Sequence, residues 1–592
     1  MRCYEKRTVE ERLRVLYSSE DAKEANRLIV DMWCKYKERI TPDTTYQISE
    51  KDVILITYGD QVRRTYEAPL VTLKQFLDSH IKDVINSVHI LPFYPYSSDD
   101  GFSVVDYSSV DPQMGSWKEI EVLSENFRLM FDGVINHCSQ YSKWFKAYLN
   151  NDPEYDNFFI DIDPTIDLRK IVRPRASPLL HEFIDNNGRV RNIWTTFSQD
   201  QVDLNYKNYK VLLAILDALF YYIEKGATLL RLDAIAFIWK DVESESVHLK
   251  ETHELIQLMR EVLHEVAPEV IIITETNVPH NENVSYFGSG EDEAQMVYNF
   301  ALPPLLAHSI LTANTTKMTQ WAKTLSLPSD KVCFFNFTAS HDGIGLRPVK
   351  DILSDEEIEF LGKKANEHGG LVSYRDNREG GRSVYELNCS FIDLLTSKDE
   401  DNVIRAKRMM LTQTVMLAMP GVPGIYFHSL VGTRNFNDGV KMTGVNRSIN
   451  RLKLNIDWLE NQLSTEGTLE KMIFKSYKKL LSIRINESAF NPYGAFTFLD
   501  ISNKLFVIHQ DSNDLHNHIV ALHNFSNEVV TCLLPEYIIL DAYELIGAQK
   551  ISSYTIELQP YQAMWIKANV DDDKMYKYFG TSKIRHKRMK ND

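Results

Sequence analysis

The 592-residue chain predicts an α/β protein: a (β/α)8 TIM barrel with inserted B and B′ subdomains, followed by a C-terminal all-β domain. Three observations predict it. Eight short apolar runs rich in Val, Ile and Phe recur along the chain. Stretches of helical periodicity, such as YKVLLAILDALFYYIEKG and KETHELIQLMREVLHEVAP, separate most of them. Beyond residue 485 the pattern changes to period-two strands. Continuous apolar strands alternating with helices imply a parallel sheet covered on both faces, and eight of them suit a closed barrel.

The elements follow in order. Residues 8–40 are charged, with Leu13, Leu16, Leu28, Ile29, Met32 and Trp33 at helical spacing. One or two helices are expected there, in an N-terminal extension over 1–48. The barrel is expected over 49–484. Its strands are VILITYG (53–59), SVHILPF (87–93), FRLMFDGVINH (127–137), TLLRLDAI (228–235), VIIITET (270–276), MVYNFAL (296–302), VCFFNFTASHD (332–342) and GVPGIYFHSL (421–430). Two gaps, 138–210 and 343–400, are too long for simple crossovers. They are the expected B and B′ inserts, at the C-terminal face where long barrel loops build a site. The β domain is expected over 485–570, from FTFLDIS, KLFVIHQ, HIVALHNFS, VVTCLLP and YTIELQPYQAMWIK. The basic tail, 571–592, shows no apolar pattern and reads as a frayed end, with a targeting or anion-binding role as the alternative.

Composition narrows the function. Hydrophobic residues make up 44% and charged residues 25%, which excludes a disordered or fibrous chain. A net charge of -16 argues against nucleic acid as a partner, because duplex binding needs a concentrated basic field. No run of 18 apolar residues exists and the N-terminus has no signal-peptide pattern, so no membrane partner and a cytoplasmic location are expected. Six scattered cysteines without a CxxC pair read as reduced thiols, not a disulfide framework or zinc site. The oligomeric state stays open, a homodimer included.

Polar groups cluster where the strands should end. The third strand ends in Asp132 and Asn136-His137, the fourth in Arg231-Leu232-Asp233, the fifth in Glu275, the seventh in His341-Asp342. A single acid in an apolar strand more often marks a structural ion pair; four in register do not. Arg231 lies on the same side of its strand as Asp233 and should keep it ionised. Glu275 follows a fully apolar run, where desolvation should keep it protonated. One ionised and one protonated acid are what retaining glycosyl transfer needs.

DGVINH, RLDAIAFIWK, TETN and ASHD resemble the four signature regions of the α-amylase superfamily of retaining glycoside enzymes, in the same order on the same strands. The resemblance implies Asp233 as nucleophile, Glu275 as general acid/base and Asp342 as transition-state stabiliser. It implies that His137 and His341 hydrogen-bond sugar hydroxyls, while Asp132 orients its neighbours. Calcium, used by some members, is not implied, and no metal or cofactor is expected.

LPFYPYSSDDGFSVVDY, VRPRASPLL, IWTTFSQDQVDLNY, SHDGIGLRP, VYELN and NRSINRLK are similar to the sucrose phosphorylase subgroup. SSDDGFSV, FIWK, ITETNVPHNENVSYFG and GGLVSYRD look most like its glucosylglycerate phosphorylases. This implies an α-glucoside phosphorylase whose partners are a small sugar donor, glucosylglycerate or sucrose, and inorganic phosphate. Phosphate calls for a cationic pocket, and Arg173 and Arg175 suit bidentate binding. By resemblance Arg175 and Tyr385 contact phosphate; the alternative is that the arginines pair with Asp161 or Asp163. Asp99 and Arg451 would clamp the far sugar hydroxyls, with Gln201 and Arg231 also in the substrate site. Phe102 and Phe197 would be its walls, or plain core aromatics. A glycerate leaving group needs a further cation, for which Lys240, Arg347 and Arg375 are unranked candidates. After FIWK the chain reads DVESESVHL where relatives carry a Gly-Thr-Ser turn. The rivals are a hydrolase or transglucosidase of the same fold and a non-catalytic sugar-binding scaffold.

Overall fold

Eight parallel strands close into a barrel because each is apolar on both faces and each crossover returns the chain to the same end. A computed structural model describes residues 7–43, 45–175, 177–376 and 381–579. Residues 1–6 of the extension and 580–592 of the tail lie outside the described residues. The barrel strands are β1 (Ile54–Thr57), β2 (Ser87–Ile90), β3 (Arg128–Gly133), β4 (Ala227–Leu232), β5 (Ile271–Thr274), β6 (Met296–Tyr298), β7 (Cys333–Phe337) and β8 (Val422–Tyr426). Each pairs in parallel with its sequence neighbours, and β8 closes on β1 through Gly424 and Ile54. Gly424 is a close approach: a Cβ there would lie 2.2 Å from the Phe335 ring, which fills the barrel at that level.

The extension forms two helices, α1 (Val9–Leu16) and α2 (Ser19–Lys37). Thr8 and Glu11 close a capping box on the first; the Ser18 hydroxyl accepts the Asp21 N–H on the second. Leu13 and Ile29 are fully buried. The helices lie against α3 (Tyr209–Glu224) and α4 (Lys250–His264), which precede β4 and β5. Arg12 binds Glu254 and Glu261 of α4, each at 3.2 Å. Trp33 donates to the Val262 carbonyl at 2.9 Å. The extension thus braces the helices on either side of the strand that ends at Asp233.

Both inserts carry antiparallel sheet. In the first, Leu180–Ile184 pairs with Val190–Trp194, and His137–Ser139 with Gln201–Asp203. In the second, Ile344–Gly345 and Leu371–Asp376 flank Arg382–Asn388. The C-terminal sheet has two short strands the sequence reading missed, Ala542–Glu544 and Gln549–Ile551. Its central strand, His518–Asn524, is buried along its whole length. The period-two alternation sorts its two faces: Ile519 and Ala521 pack into the barrel core, while Val520 and Leu522 join a second core beyond the sheet. At the strand start His518 Nδ1 lies 2.6 Å from Asp511, which His509 Nε2 also approaches at 2.9 Å, so a buried carboxylate ties the hairpin. Past 570, where the sequence shows no apolar pattern, Asp572–Phe579 is helical and Met575 is buried in that second core. The five described cysteines are free thiols, four of them buried. No described helix is long and apolar enough to cross a membrane.

Arg484 joins the two domains to the barrel floor. Its fully buried guanidinium donates to the carbonyls of Glu50 (2.6 Å), Leu417 (3.0 Å), Gly421 (3.2 Å) and Phe490 (3.4 Å). Burial draws its pKa down to about 10, so it stays charged at neutral pH. Arg484→Ala strips these carbonyls of their donor and should cost about 3 kcal/mol. Arg484→Lys, which keeps an ammonium donor, should recover part of it. Thermal melts of both variants check this; a midpoint that does not move in the alanine variant rules out the anchoring role.

Candidate active site

The strand ends converge at the C-terminal mouth of the barrel. β4 runs apolar to Leu232 and presents Asp233; β5 presents Glu275; the segment after β7 presents His341 and Asp342. One cavity is lined by Asp99, Phe102, His137, Arg175, Phe197, Gln201, Asp233, Glu275, His341, Asp342 and Tyr385. These are eleven of the thirteen site residues expected from the sequence. Pro174, Ala234, Ala236, Phe237, Thr276, Asn277, Arg347 and Arg447 complete the lining.

The other two expected residues, Arg231 and Arg451, stand behind the wall. Arg231 is almost fully buried, with Nη1 bonded to both Asp132 and Asp233, the latter at 2.8 Å. Its Nη2 lies 3.8 Å from Glu275. Asp132 also holds His89 Nε2 at 2.7 Å and so orients the guanidinium from inside the barrel. After Asp233 the chain turns through Ala234 at φ 51°, a left-handed backbone that costs a non-glycine residue energy. The turn aims the Ala234 N–H at Glu275 Oε2, 3.0 Å away. Both acids thus lie beside one guanidinium, and Glu275 is also held by the backbone N–H of the residue after Asp233.

The expectation that Arg231 keeps the Asp233 carboxyl low needs correction, while the raised Glu275 is as expected. Burial raises both carboxyls. Arg231 opposes this for each, but it is shared with Asp132, and the neighbouring carboxylates add to burial. Two desolvated acids beside one divided cation resist ionising together. Of the two, Asp233 has the nearer guanidinium, at 2.8 Å against 3.8 Å. Asp342 differs. Burial works to raise it, but Arg447, backed by His341 and Arg451, holds it well below the carboxylate range.

One wall of the cavity is aromatic and neutral. Phe102 stacks on the His341 imidazole, centroids 4.6 Å apart and nearly parallel. Burial lowers the pKa of both His137 and His341, the latter to about 3, so both are neutral hydrogen-bonding groups. His137 Nε2 lies 2.8 Å from the Phe102 carbonyl, and Gln201 Nε2 lies 3.3 Å from the same oxygen. Arg451 donates to the His341 carbonyl at 2.8 Å and to Asp100 at 2.8 Å, with Asp99 at 3.4 Å. Asp99 and Asp100 both take positive φ, which presents their two carboxylates to that guanidinium. Phe197 carries the Arg175 guanidinium at 5.7 Å from its ring centre.

The cations sort themselves. Arg175 enters the cavity, 3.5 Å from Asp99; Arg173 is not among its lining residues. Asp161, the partner of the alternative reading, is taken by Arg191 at 3.2 Å. Lys240 does not reach a leaving group: it is buried between Asp203 (2.9 Å) and Asn136 (2.7 Å). Arg375 is absent from the lining and Arg347 is present. Sequence reasoning missed Arg447, which binds Asp342 and, at 2.7 Å, Glu386 of the second insert. Its signal was in NRSINRLK, four residues before Arg451.

A model of the α-amylase catalytic domain matches residues 78–342. The glucosylglycerate phosphorylase of Spirochaeta thermophila is 42% identical over 565 residues, covering 92% of this chain and 95% of that protein. That of Escherichia coli is 42% identical over 531 residues, with 90% and 94% covered. Among solved structures, the sucrose 6F-phosphate phosphorylase of Thermoanaerobacter thermosaccharolyticum shares the fold, with a TM-score of 0.70 at 22% identity over 82% of this chain and 95% of that one. These matches bear out the resemblance carried by the motifs.

The raised Glu275 has a consequence for stability. A carboxyl whose folded pKa exceeds its unfolded one binds more protons in the native state, so stability falls as pH rises from the ordinary value toward the raised one. Glu275→Gln removes that loss. Its melting temperature should match the parent at acid pH, below the ordinary carboxyl range, and exceed it by a margin that widens as the pH rises through and above that range. A margin that stays constant or shrinks with pH contradicts the raised carboxyl.

Proposed function

Because the chain belongs to the α-amylase family, and its curated relatives are glycoside phosphorylases, we propose that it is a retaining α-glucoside phosphorylase whose donor is glucosylglycerate. The observation that carries this reading is the content of one cavity: Asp233, Glu275 and Asp342 together with Arg175 and Tyr385. Three acids alone suit hydrolysis as well as phosphorolysis. A cation and a phenol beside them suit phosphate.

The reaction runs in two displacements. Asp233, the acid nearer the Arg231 guanidinium, attacks C1 of the glucosyl unit from the face opposite the leaving group. Glu275 gives its proton to the glycosidic oxygen as the C1–O bond breaks, and glycerate departs as its alcohol. The glucosyl unit is now an ester of Asp233. Phosphate enters the vacated space, held by Arg175 and the Tyr385 hydroxyl. Glu275, now ionised, takes a proton from phosphate as its oxygen attacks C1, and the Asp233 ester bond breaks. Two inversions give α-glucose 1-phosphate. Asp342, kept ionised by Arg447, stands against the positive charge that develops on the ring in each transition state. His137, His341 and Gln201 bind hydroxyls, Phe102 and Phe197 wall the ring, and Asp99 with Arg451 closes the far end. A closed one-sugar pocket with a fixed anion site favours phosphate over water.

Incubation with glucosylglycerate or sucrose, with and without phosphate, tests this reading through the yields of glucose 1-phosphate and free glucose. Phosphate-dependent glucose 1-phosphate from glucosylglycerate, and not from sucrose, is expected. Free glucose at equal rates with and without phosphate would sink the phosphorylase reading in favour of a hydrolase. Arg175→Ala should shift the product ratio from glucose 1-phosphate toward glucose by about 100-fold, the size of a lost charge-assisted contact. Asp233→Ala should abolish turnover by several orders of magnitude while sugar binding persists; undiminished turnover would remove Asp233 from the chemistry.

A further inference from the structure

The reaction handles two anions in turn, phosphate and the carboxylate of the leaving acid, and two of the cavity's arginines, Arg175 and Arg347, have no carboxylate closer than 3.5 Å. Three described lining residues are cationic: Arg175, Arg347 and Arg447. Arg447 is committed to Asp342 and Glu386. Arg175 has Asp99 at 3.5 Å. Among the described residues, Arg347's nearest carboxylate is Glu282, at 3.8 Å, beyond hydrogen-bond distance, with Glu245 acting from further off. Glu282 is itself half exposed and lies 3.0 Å from His248 Nε2. Burial lowers the Arg347 pKa below its ordinary value, so Glu282 does not offset the desolvation. A half-buried guanidinium that lines a cavity, with its nearest carboxylate beyond hydrogen-bond distance, suits an anion.

Asn277 stands in the same wall. Its Oδ1 is buried and accepts no hydrogen bond, an acceptor that costs energy unless a ligand hydroxyl fills it. The close fit around it is built: a Cβ on Gly345 would fall 2.2 Å from the Asn277 amide nitrogen, so only glycine leaves room for that side chain. The chain order adds meaning. Asn277 lies two residues after Glu275, and Arg347 five residues after Asp342, in the turn Arg347–Val349. The segment that carries the proton donor also carries a hydroxyl acceptor, and the segment that carries the stabilising acid also carries a cation.

We propose that Arg347 and Asn277 form the leaving-group subsite, the Arg347 guanidinium binding the carboxylate of a 2-hydroxy acid and the Asn277 amide oxygen accepting its remaining hydroxyl. The proposal rests on the phosphorylase reading above and deepens it by assigning the acceptor. Glycerate satisfies both contacts while its 2-hydroxyl faces Glu275. Glycerol lacks the carboxylate, and lactate lacks the hydroxyl that Asn277 would hold. Tyr385 shares the cavity wall and lies within electrostatic reach of Arg447, Arg175 and Arg347.

Synthesis from α-glucose 1-phosphate by the full-length chain tests this, with D-glycerate, glycerol and D-lactate as acceptors. In Arg347→Ala the preference for glycerate over glycerol, taken as a ratio of kcat/KM, should fall about 100-fold, with the residual glycerol reaction reporting a folded enzyme. Arg347→Lys keeps the charge but not the bidentate geometry and should recover part of the ratio. Asn277→Ala should raise KM for glycerate several-fold and leave lactate much less affected. A parent-like ratio in Arg347→Ala overturns the carboxylate contact while the phosphorylase reading stands. Equal effects of Asn277→Ala on glycerate and lactate overturn the hydroxyl contact. A parent chain that forms no glycoside from glucose 1-phosphate with any acceptor overturns the phosphorylase reading and this subsite with it.

Discussion

The buried Arg231 guanidinium is the constraint on which the site depends. It bonds Asp132 and Asp233 and stands 3.8 Å from Glu275; Asp132 is sealed in the barrel, and the other two acids are largely buried at the cavity. One cation among three desolvated acids cannot neutralise them all, and the deficit falls on the two that face the cavity. A barrel interior that was only a core would fill this space with apolar side chains. Here the single cation is divided, and burial raises both the Asp233 and the Glu275 carboxyl above the ordinary range. The left-handed turn at Ala234 belongs to the same economy, since its strained backbone supplies the N–H that fixes Glu275.

Around that centre the inserts provide what the barrel does not. The barrel strands contribute acids and neutral imidazoles. The cations on the open side come from elsewhere: Arg175 from the first insert, Arg347 from the start of the second, Arg447 from the segment after β8. Asp342 is held ionised by Arg447, and Arg447 is held by Glu386 of the second insert. The charge state of one strand-end acid is therefore set by two segments distant in the chain. The N-terminal helices act further out, through Arg12 and Trp33 on the helix that precedes β5.

Much of this was legible along the chain. The eight barrel strands fall within, or one residue beyond, the apolar runs, because a strand covered on both faces can hold a polar side chain only where another buried group pairs with it, as Asp132, His89 and Arg231 do. The carboxyls at the strand ends were legible because a polar group terminating an apolar run is locally anomalous. Arg447 and Asn277 were not. Each sits in a polar segment where an arginine or an asparagine is ordinary, and only the fold sets them against Asp342 and the cavity. The short strands at 542–544 and 549–551 escaped notice because three residues carry too little alternation to register.

The sequence by itself determined the barrel, the order of its strands, the acids at its mouth and the kinship those motifs imply. Local patterns carry all of these, since periodicity and strand-end polarity are properties of neighbouring residues. Only the tertiary structure decided which cations are spent and which remain available: Lys240 locked between Asp203 and Asn136, Arg447 on Asp342, Arg175 and Arg347 left facing the cavity. It also decided that Asp233 and Glu275 share one guanidinium. Ion pairing and desolvation depend on distances of a few ångströms between residues far apart in the chain, and a linear pattern does not record those distances.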